Sequence, residues 1–222
     1  MNVRLHILLA LTAMRADWII SAHRYEGRES NRNFWGRKND SSSPFFEENM
    51  DIYFYYVDKQ YIDYLKKREI NSRGFTCVPN VEYWNTKKFV FGTVLEVDSI
   101  NYFVPVSSYS KQQENLMLIR DKKDNHVLGS LRFTYMIPVP KQCIKKLDIN
   151  SMPTEYNRVH TSKELAFCRR NREKIQKQAQ KTYNRVCSKK YPDLCRNSCD
   201  FKLLEKACTE YILENKLNQE YN

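Results

Sequence analysis

The chain has 222 residues, a formal net charge of +11 and 13% aromatic residues. That length suits one sizeable domain or two small ones. A basic, aromatic-rich balance favours a polyanionic partner, nucleic acid or a membrane surface, and argues against a protein built around a small acidic metabolite.

Residues 1–49 read differently from the rest. Ile7–Met14 is a short apolar run behind Arg4, with small residues at Ala13 and Ala22, in the outline of a signal peptide. It is too short to span a bilayer as a helix. Arg24–Asn49 is polar and has no usable periodicity, so 1–49 reads as a disordered extension outside the fold. The functional domain then covers 50–222, and Met50 is a candidate start. A secreted basic protein is the competing reading if the apolar run is a signal.

From Met50 the pattern sharpens. Ile52–Val57 is strand-like. Asp58 is a good N-cap for a short helix over Lys59–Lys67, where Tyr61, Tyr64 and Leu65 share a face. Glu69–Asn80 reads as loop, broken by Gly74 and Pro79. Phe89–Val97 and Ile100–Val106 flank Asp98-Ser99 as a hairpin. Gly92 weakens the first strand, so it marks a bulge or a close backbone approach. The second strand ends in two adjacent hydroxyls, Ser107 and Ser108, which are either a platform for a phosphate or turn residues leaving a strand. Leu116–Arg120 and Val127–Val139 are further strands around a turn at Asp121–Asn125. Short, closely spaced strands predict an α+β fold with a small curled antiparallel β-barrel and added helices.

Beyond Pro140 the chain becomes helical. Leu147, Ile149 and Met152 form an irregular anchor before Pro153. Thr161 and Glu164 have capping-box spacing and open one long helix to about Cys187. Leu165, Cys168, Ile175, Ala179, Thr182 and Val186 make its apolar stripe. Arg169, Arg170, Lys174, Lys177 and Lys181 cover other faces. Lys141–Tyr191 carries 14 Lys and Arg against 4 Asp and Glu, a net +10 that accounts for nearly the whole excess. Ser188–Cys199 is loop, and Asp200 caps a final helix. Seven cysteines, an odd number without a C-x-x-C pair, suit free thiols in a reducing cytosol more than a disulfide framework or a zinc centre.

The chemistry open to this chain is narrow. His126 and His160 are the only histidines after residue 49, and the chain holds no H-E-x-x-H, P-loop, G-x-G-x-x-G or G-x-S-x-G. What remains is a metal-free phosphate site of hydroxyls, tyrosines and lysines. RNA supplies its own nucleophile to such a site, the 2′-OH beside each phosphate. Lysines and serines align the backbone and stabilise charge, and Tyr or a perturbed Lys moves protons.

Six pieces in order carry a resemblance from Met50 to Tyr211. They are Tyr61–Lys66, Phe89–Val97 with its Gly-Thr-Val-Leu-Glu-Val core, Tyr102–Ser108, Met136–Val139, Leu147–Pro153 and Asp200–Glu205. Together they resemble the ToxN/AbiQ family, endoribonuclease toxins of type III toxin–antitoxin systems. The resemblance implies a Kid/MazF-like barrel, metal-independent RNA cleavage without a cofactor, and cytoplasmic action in abortive phage defence. It implies inhibition by an RNA antitoxin of pseudoknot repeats, which the toxin processes, in a closed protein–RNA hetero-oligomer, with cellular and phage RNA as substrates and no membrane. The family's hydroxyl pair falls on Ser107 and Ser108, with Ser108 the firmer assignment. Its Tyr and Lys fall on Tyr83 and Lys87, or Lys88 if one residue is inserted. Ser110 stands where some members have a Lys, with Lys111 next, and Tyr61 is expected to line the same site. The basic residues Arg169, Arg170, Lys174, Lys177 and Lys181 are expected to bind antitoxin phosphates. The competing class is a non-catalytic basic RNA- or DNA-binding module.

Overall fold

A computed structural model describes residues 52–83 and 86–220. The extension expected over 1–49, including Ile7–Met14, lies outside the described residues. Strand β1 (Tyr53–Val57) leads into helix α1 (Lys59–Arg73). Asp58 Oδ1 accepts from the Gln60 N–H at 2.6 Å at one end. Gly74 closes the other, at φ 77°, its N–H bonded to the Ile70 carbonyl. The helix is six residues longer than the sequence pattern predicts. The reason is Glu69, which looks solvent-facing in the sequence but is fully buried. Its Oε1 accepts from Arg73 Nη1 and the Asp200 N–H, each at 2.7 Å. Its Oε2 accepts from Thr76 Oγ1 and the Cys77 N–H, again at 2.7 Å.

After the two-stranded β2 (Glu82–Tyr83) and β3 (Thr86–Lys87) comes the central hairpin, β4 (Val90–Val97) and β5 (Ile100–Ser107). Asp98 and Ser99 both have positive φ, 48° and 63°. Two such residues between paired strands match the turn whose twist suits a hairpin. The register shifts between Gly92 and Leu95. The Phe103 ring lies on the Gly92 backbone, so a Cβ there would sit 2.3 Å from Phe103 Cδ1. Gly92 is thus both a bulge and a close approach.

The main sheet is antiparallel, in the order β6 (Leu116–Arg120), β7 (Val127–Arg132), β5, β4, β1, β9 (Ile144–Lys146), with β8 (Ile137–Pro138) beside β5. β7 and β8 divide one side of β5 between them, because a 3-10 turn over Phe133–Tyr135 interrupts the single strand expected from Val127 to Val139. Phe133 is fully buried, and the Thr134 carbonyl accepts from the Cys199 N–H at 2.9 Å. That docking outweighs strand continuity. No pairing among the described residues joins β6 to β9, so the sheet stays open where the sequence suggested a closed barrel. Helices cover its surfaces instead: α2 (Glu155–Arg170) meets β6 and β7, α3 (Arg172–Cys187) meets β4, and α5 (Phe201–Glu220) meets β8 and α1, with the short α4 (Pro192–Arg196) between α3 and α5.

The expected single helix to Cys187 is therefore two. Asn171 Nδ2 donates to the Phe167 carbonyl at 3.0 Å, and its backbone leaves the helical region. A side-chain amide competing for helix carbonyls is a known way to end a helix. The N-cap is Thr154, whose Oγ1 accepts from the Asn157 N–H at 3.1 Å. Thr161 and Glu164 lie inside α2 on its buried face, so their capping-box spacing was coincidental. Asp200 does cap α5, accepting from the Leu203 N–H at 3.2 Å.

Gly92→Ala should destabilise the fold by about 1–3 kcal/mol, the usual cost of forcing a methyl into a packed core. Urea unfolding checks this, and a midpoint unchanged from wild type would contradict the close approach of Phe103.

Candidate nucleic-acid site

The β4–β5 ladder brings the predicted residues to one end of the sheet. Val90 faces Pro105, and the Val106 N–H donates to the Phe89 carbonyl at 3.2 Å. The ladder ends there: Lys87 lies in β3, paired with Glu82 of β2, and the Lys88 N–H donates to the Val81 carbonyl at 2.7 Å, so the two lysines lead into β4 from the β2–β3 ribbon. Ser108 is exposed just past the strand, and Ser107 is half-buried. Ser107 Oγ accepts from the Tyr109 N–H at 3.2 Å, which shapes the turn out of β5. Of the two hydroxyls, Ser108 therefore points to the freer one.

Lys87 and Lys88 line a cavity of about 650 Å³ together with Lys59, Lys145 and Lys146, bordered by Tyr56 and Ser151. Three carboxylates also border it, Asp58, Glu82 and Asp148. Two of these have work elsewhere: Asp58 caps α1, and Asp148 Oδ1 accepts from the Asn150 N–H at 3.0 Å. Lys59 is held by Asp63 at 2.6 Å, which raises its pKa. Lys87 and Lys145 make no ion pair among the described residues. A recess of this kind attracts phosphate. The serines do not line it, so lysine cleft and hydroxyl pair are neighbouring parts of one strand end. Sequence reasoning missed Lys145 and Lys146, although the Lys-Lys doublet after Pro140 was a visible signal.

Other predicted residues fall elsewhere. Tyr61 is fully buried, and its hydroxyl donates to the Pro138 carbonyl at 2.7 Å. The expectation that it lines an RNA site is corrected: helical spacing placed it on the core face of α1. The backbone of Tyr83 is in β2, but its side chain lies outside the described residues. Lys111 is exposed in the loop after β5. Arg169, Arg170, Lys174, Lys177 and Lys181 are all exposed, the first two on α2 and the others on α3. Asp121, Asp124 and His126 gather their ligand atoms within 4.8 Å, a grouping the sequence reading did not foresee. Local pairs account for it, Asp124 with His126 at 2.7 Å and Asp121 with Lys163 at 2.6 Å.

Behind the hydroxyl pair sits a buried acid. A Cβ on Gly129 would lie 2.7 Å from Glu164 Oε1 and 2.9 Å from the Ser107 carbonyl oxygen. The glycine opens the space that the carboxyl occupies. His160 Nε2 is 3.6 Å from the same oxygen, and the Tyr156 ring stacks on His160. Burial pushes the Glu164 carboxyl up to about 8. The native state therefore holds the proton more tightly than the unfolded chain, and this contribution to stability is intact at low pH and lost as pH rises toward 8.

The family model described as "Toxin ToxN, type III toxin-antitoxin system" matches residues 53–209. The chain is 30% identical over 184 residues to the endoribonuclease AbiQ of Lactococcus lactis subsp. lactis, covering 77% of this chain and 96% of AbiQ. It is 31% identical over 179 residues to the endoribonuclease ToxN of Pectobacterium atrosepticum, covering 75% and 98%. The structure of a bacterial antiviral system regulated by a processed non-coding RNA superposes with a TM-score of 0.61 at 27% identity, covering 70% of this chain and 96% of that one.

Glu164→Gln should flatten the fall in melting temperature between about pH 5 and pH 8. Each kcal/mol recovered at high pH is worth about 2–4 °C for a domain of this size. Calorimetric scans across that range check it, and parallel curves for variant and wild type would contradict a neutral buried Glu164.

Proposed function

The chain belongs to the ToxN toxin family of type III toxin–antitoxin systems, and we propose that it is a metal-independent endoribonuclease held inactive by a repeated RNA antitoxin that it processes. What supports this reading is the open end of the β4–β5 hairpin, where β5 runs out into Ser107 and Ser108, together with the lysine-lined cavity that holds Lys87 and Lys88 just before β4. Ser108 holds the scissile phosphate, with Ser107 supporting it. Lys87 or Lys88 stabilises the added negative charge of the transition state, where preorganised donors act most strongly. The 2′-oxygen attacks phosphorus while the bond to the 5′-oxygen breaks. The 2′-OH gives up its proton, and the departing 5′-oxygen takes one. Tyr83 is assigned to proton transfer or RNA orientation. Lys145 and Lys146 extend the basic cleft along the RNA backbone.

The basic faces of α2 and α3 serve the antitoxin. Lys174, Lys177 and Lys181 recur at helical spacing on α3 and are exposed, a ladder suited to successive phosphates, and Arg170 is exposed at the end of α2. We read the assembly as a closed protein–RNA complex acting in the cytoplasm in phage defence; the similar structure belongs to a bacterial antiviral system regulated by a processed non-coding RNA, which supports the RNA partner and the defence role. No helix among the described residues is long and apolar enough to cross a membrane. The family match begins at residue 53, which supports 50–222 as the toxin domain and 1–49 as an extension outside it. A curled sheet akin to the Kid/MazF toxins belongs to the same proposal, supported by β5 passing from β8 to β7 along its length.

Expression without the antitoxin RNA tests the reading. Wild type should arrest growth, and Ser108→Ala should not. Purified Ser108→Ala should cut RNA roughly 100-fold more slowly, the effect of losing one oxyanion donor, with stability changed by less than about 1 kcal/mol. A fully toxic Ser108→Ala would place the chemistry elsewhere, and a harmless wild type would favour a non-catalytic RNA-binding module.

Antitoxin affinity should fall steeply with salt, with a slope of roughly −0.7 to −0.9 per phosphate contact. Replacing Lys174, Lys177 and Lys181 together with Ala should flatten that slope while cleavage of a short RNA persists. An unchanged slope would move the antitoxin to another surface.

A further inference from the structure

Arg132 ends β7 in an unusual setting. Its guanidinium carbon lies 4.3 Å from the Tyr135 ring centroid and 5.5 Å from that of Tyr109. Two aromatic rings thus hold the cation, and cation–π attraction favours the arrangement. A guanidinium carries five N–H donors, which contact with a ring face does not use up. Nη2 reaches the Tyr135 hydroxyl at 3.3 Å, and no carboxylate pairs with Arg132 among the described residues. Three other arginines are spent on protein acceptors. Arg73 engages Glu69 and the carbonyls of Cys195, Arg196 and Ser198, Arg68 meets Glu210, and Arg185 meets Glu114. Arg132 is half-buried, fixed in orientation, and has most of its donors unengaged.

Its position gives those donors a target. Tyr109, one of the two rings, directly follows Ser107 and Ser108. Ser107 pairs with Ser130 in the β5–β7 register, and the Ser130 hydroxyl reaches the Ser107 carbonyl at 3.4 Å. Residues two apart on a strand share a face, so Arg132 lies on the face that carries Ser107 and Ser130. A planar fork matches two oxygens of one phosphate, which a lysine ammonium does not.

We propose that Arg132 is a further catalytic residue, binding the non-bridging oxygens of an RNA phosphodiester seated on Ser107 and Ser108. The assignment rests on the endoribonuclease reading above. Arg132 remains protonated throughout and exchanges no proton. It donates hydrogen bonds that strengthen as charge builds on the phosphorane. Tyr109 and Tyr135 are positioning residues that keep the fork from folding back onto a protein acceptor.

The test uses the full chain with a short RNA that the wild type cuts. Arg132→Lys keeps the charge and loses the fork, and Arg132→Ala loses both. Each variant is first melted to establish that it folds. Arg132→Ala should lower kcat by roughly 100-fold, in the range of other lost transition-state donors. Arg132→Lys should recover little of it, with KM changed far less than kcat. Millimolar guanidinium should restore part of the Arg132→Ala rate and none of the Ser108→Ala rate, an effect that a merely structural arginine does not produce. Wild-type kcat in a folded Arg132→Lys overturns the assignment and leaves the endoribonuclease reading standing. An absence of rescue in a folded Arg132→Ala also overturns it. A wild type that cuts no RNA overturns both.

Discussion

The packing of Phe103 on the bare backbone of Gly92 is the constraint on which the strand end depends. It lets β4 and β5 approach where a side chain would hold them apart, and the register shift beside it sets which residues emerge together. Near that strand end lie the groups assigned to the phosphate: the hydroxyls at the end of β5, the lysines just before β4, and Arg132 across the β5–β7 ladder. A slip of one residue exchanges the faces of a strand. Such a slip between β5 and β7 would turn Arg132 away from Ser107.

Two buried carboxylates organise the helical layer, and the second ties it to that sheet. Glu69 ties the end of α1 to the loop after it and to the start of α5, with Arg73 reaching the carbonyls around α4. Glu205 on α5 accepts from the hydroxyls of Tyr102 on β5 and Tyr183 on α3, and Lys202 completes the group. Desolvation and the adjacent Glu205 carboxylate push the Tyr102 phenol well above its ordinary range, so it stays a donor. Buried polar networks of this kind stabilise only when every member is satisfied. Here they fix α3, and with it Lys174, Lys177 and Lys181, against the same strands that carry the candidate site.

The hairpin, its turn, the role of Gly92, the apolar stripe of the later helices and the Asp200 cap were legible because each depends on local spacing. The helix through Glu69 was not, since a charged residue in a polar stretch carries no sign that four partners will bury it. The break at Asn171 escaped because the apolar stripe continues through it at helical period. Tyr61 matched the resemblance yet serves the core, which its neighbours on the same helix face already implied. Arg132 was invisible for another reason: its setting comes from Tyr109 and Tyr135, on either side of it in sequence, and only the fold closes them around the guanidinium. Motif reading finds residues that are close in the chain, and this strand end is assembled from three separate stretches.

The central claim is that this chain cuts RNA with the RNA's own 2′-OH, at a site made of hydroxyls and cations. Identification of the ends left by the purified full chain, in the presence of EDTA, tests it most directly. Mass spectrometry of a short cleaved RNA should show a 2′,3′-cyclic phosphate on one product and a 5′-hydroxyl on the other, at a rate the chelator does not change. A 5′-phosphate, or cleavage that stops when EDTA is added, would contradict the account.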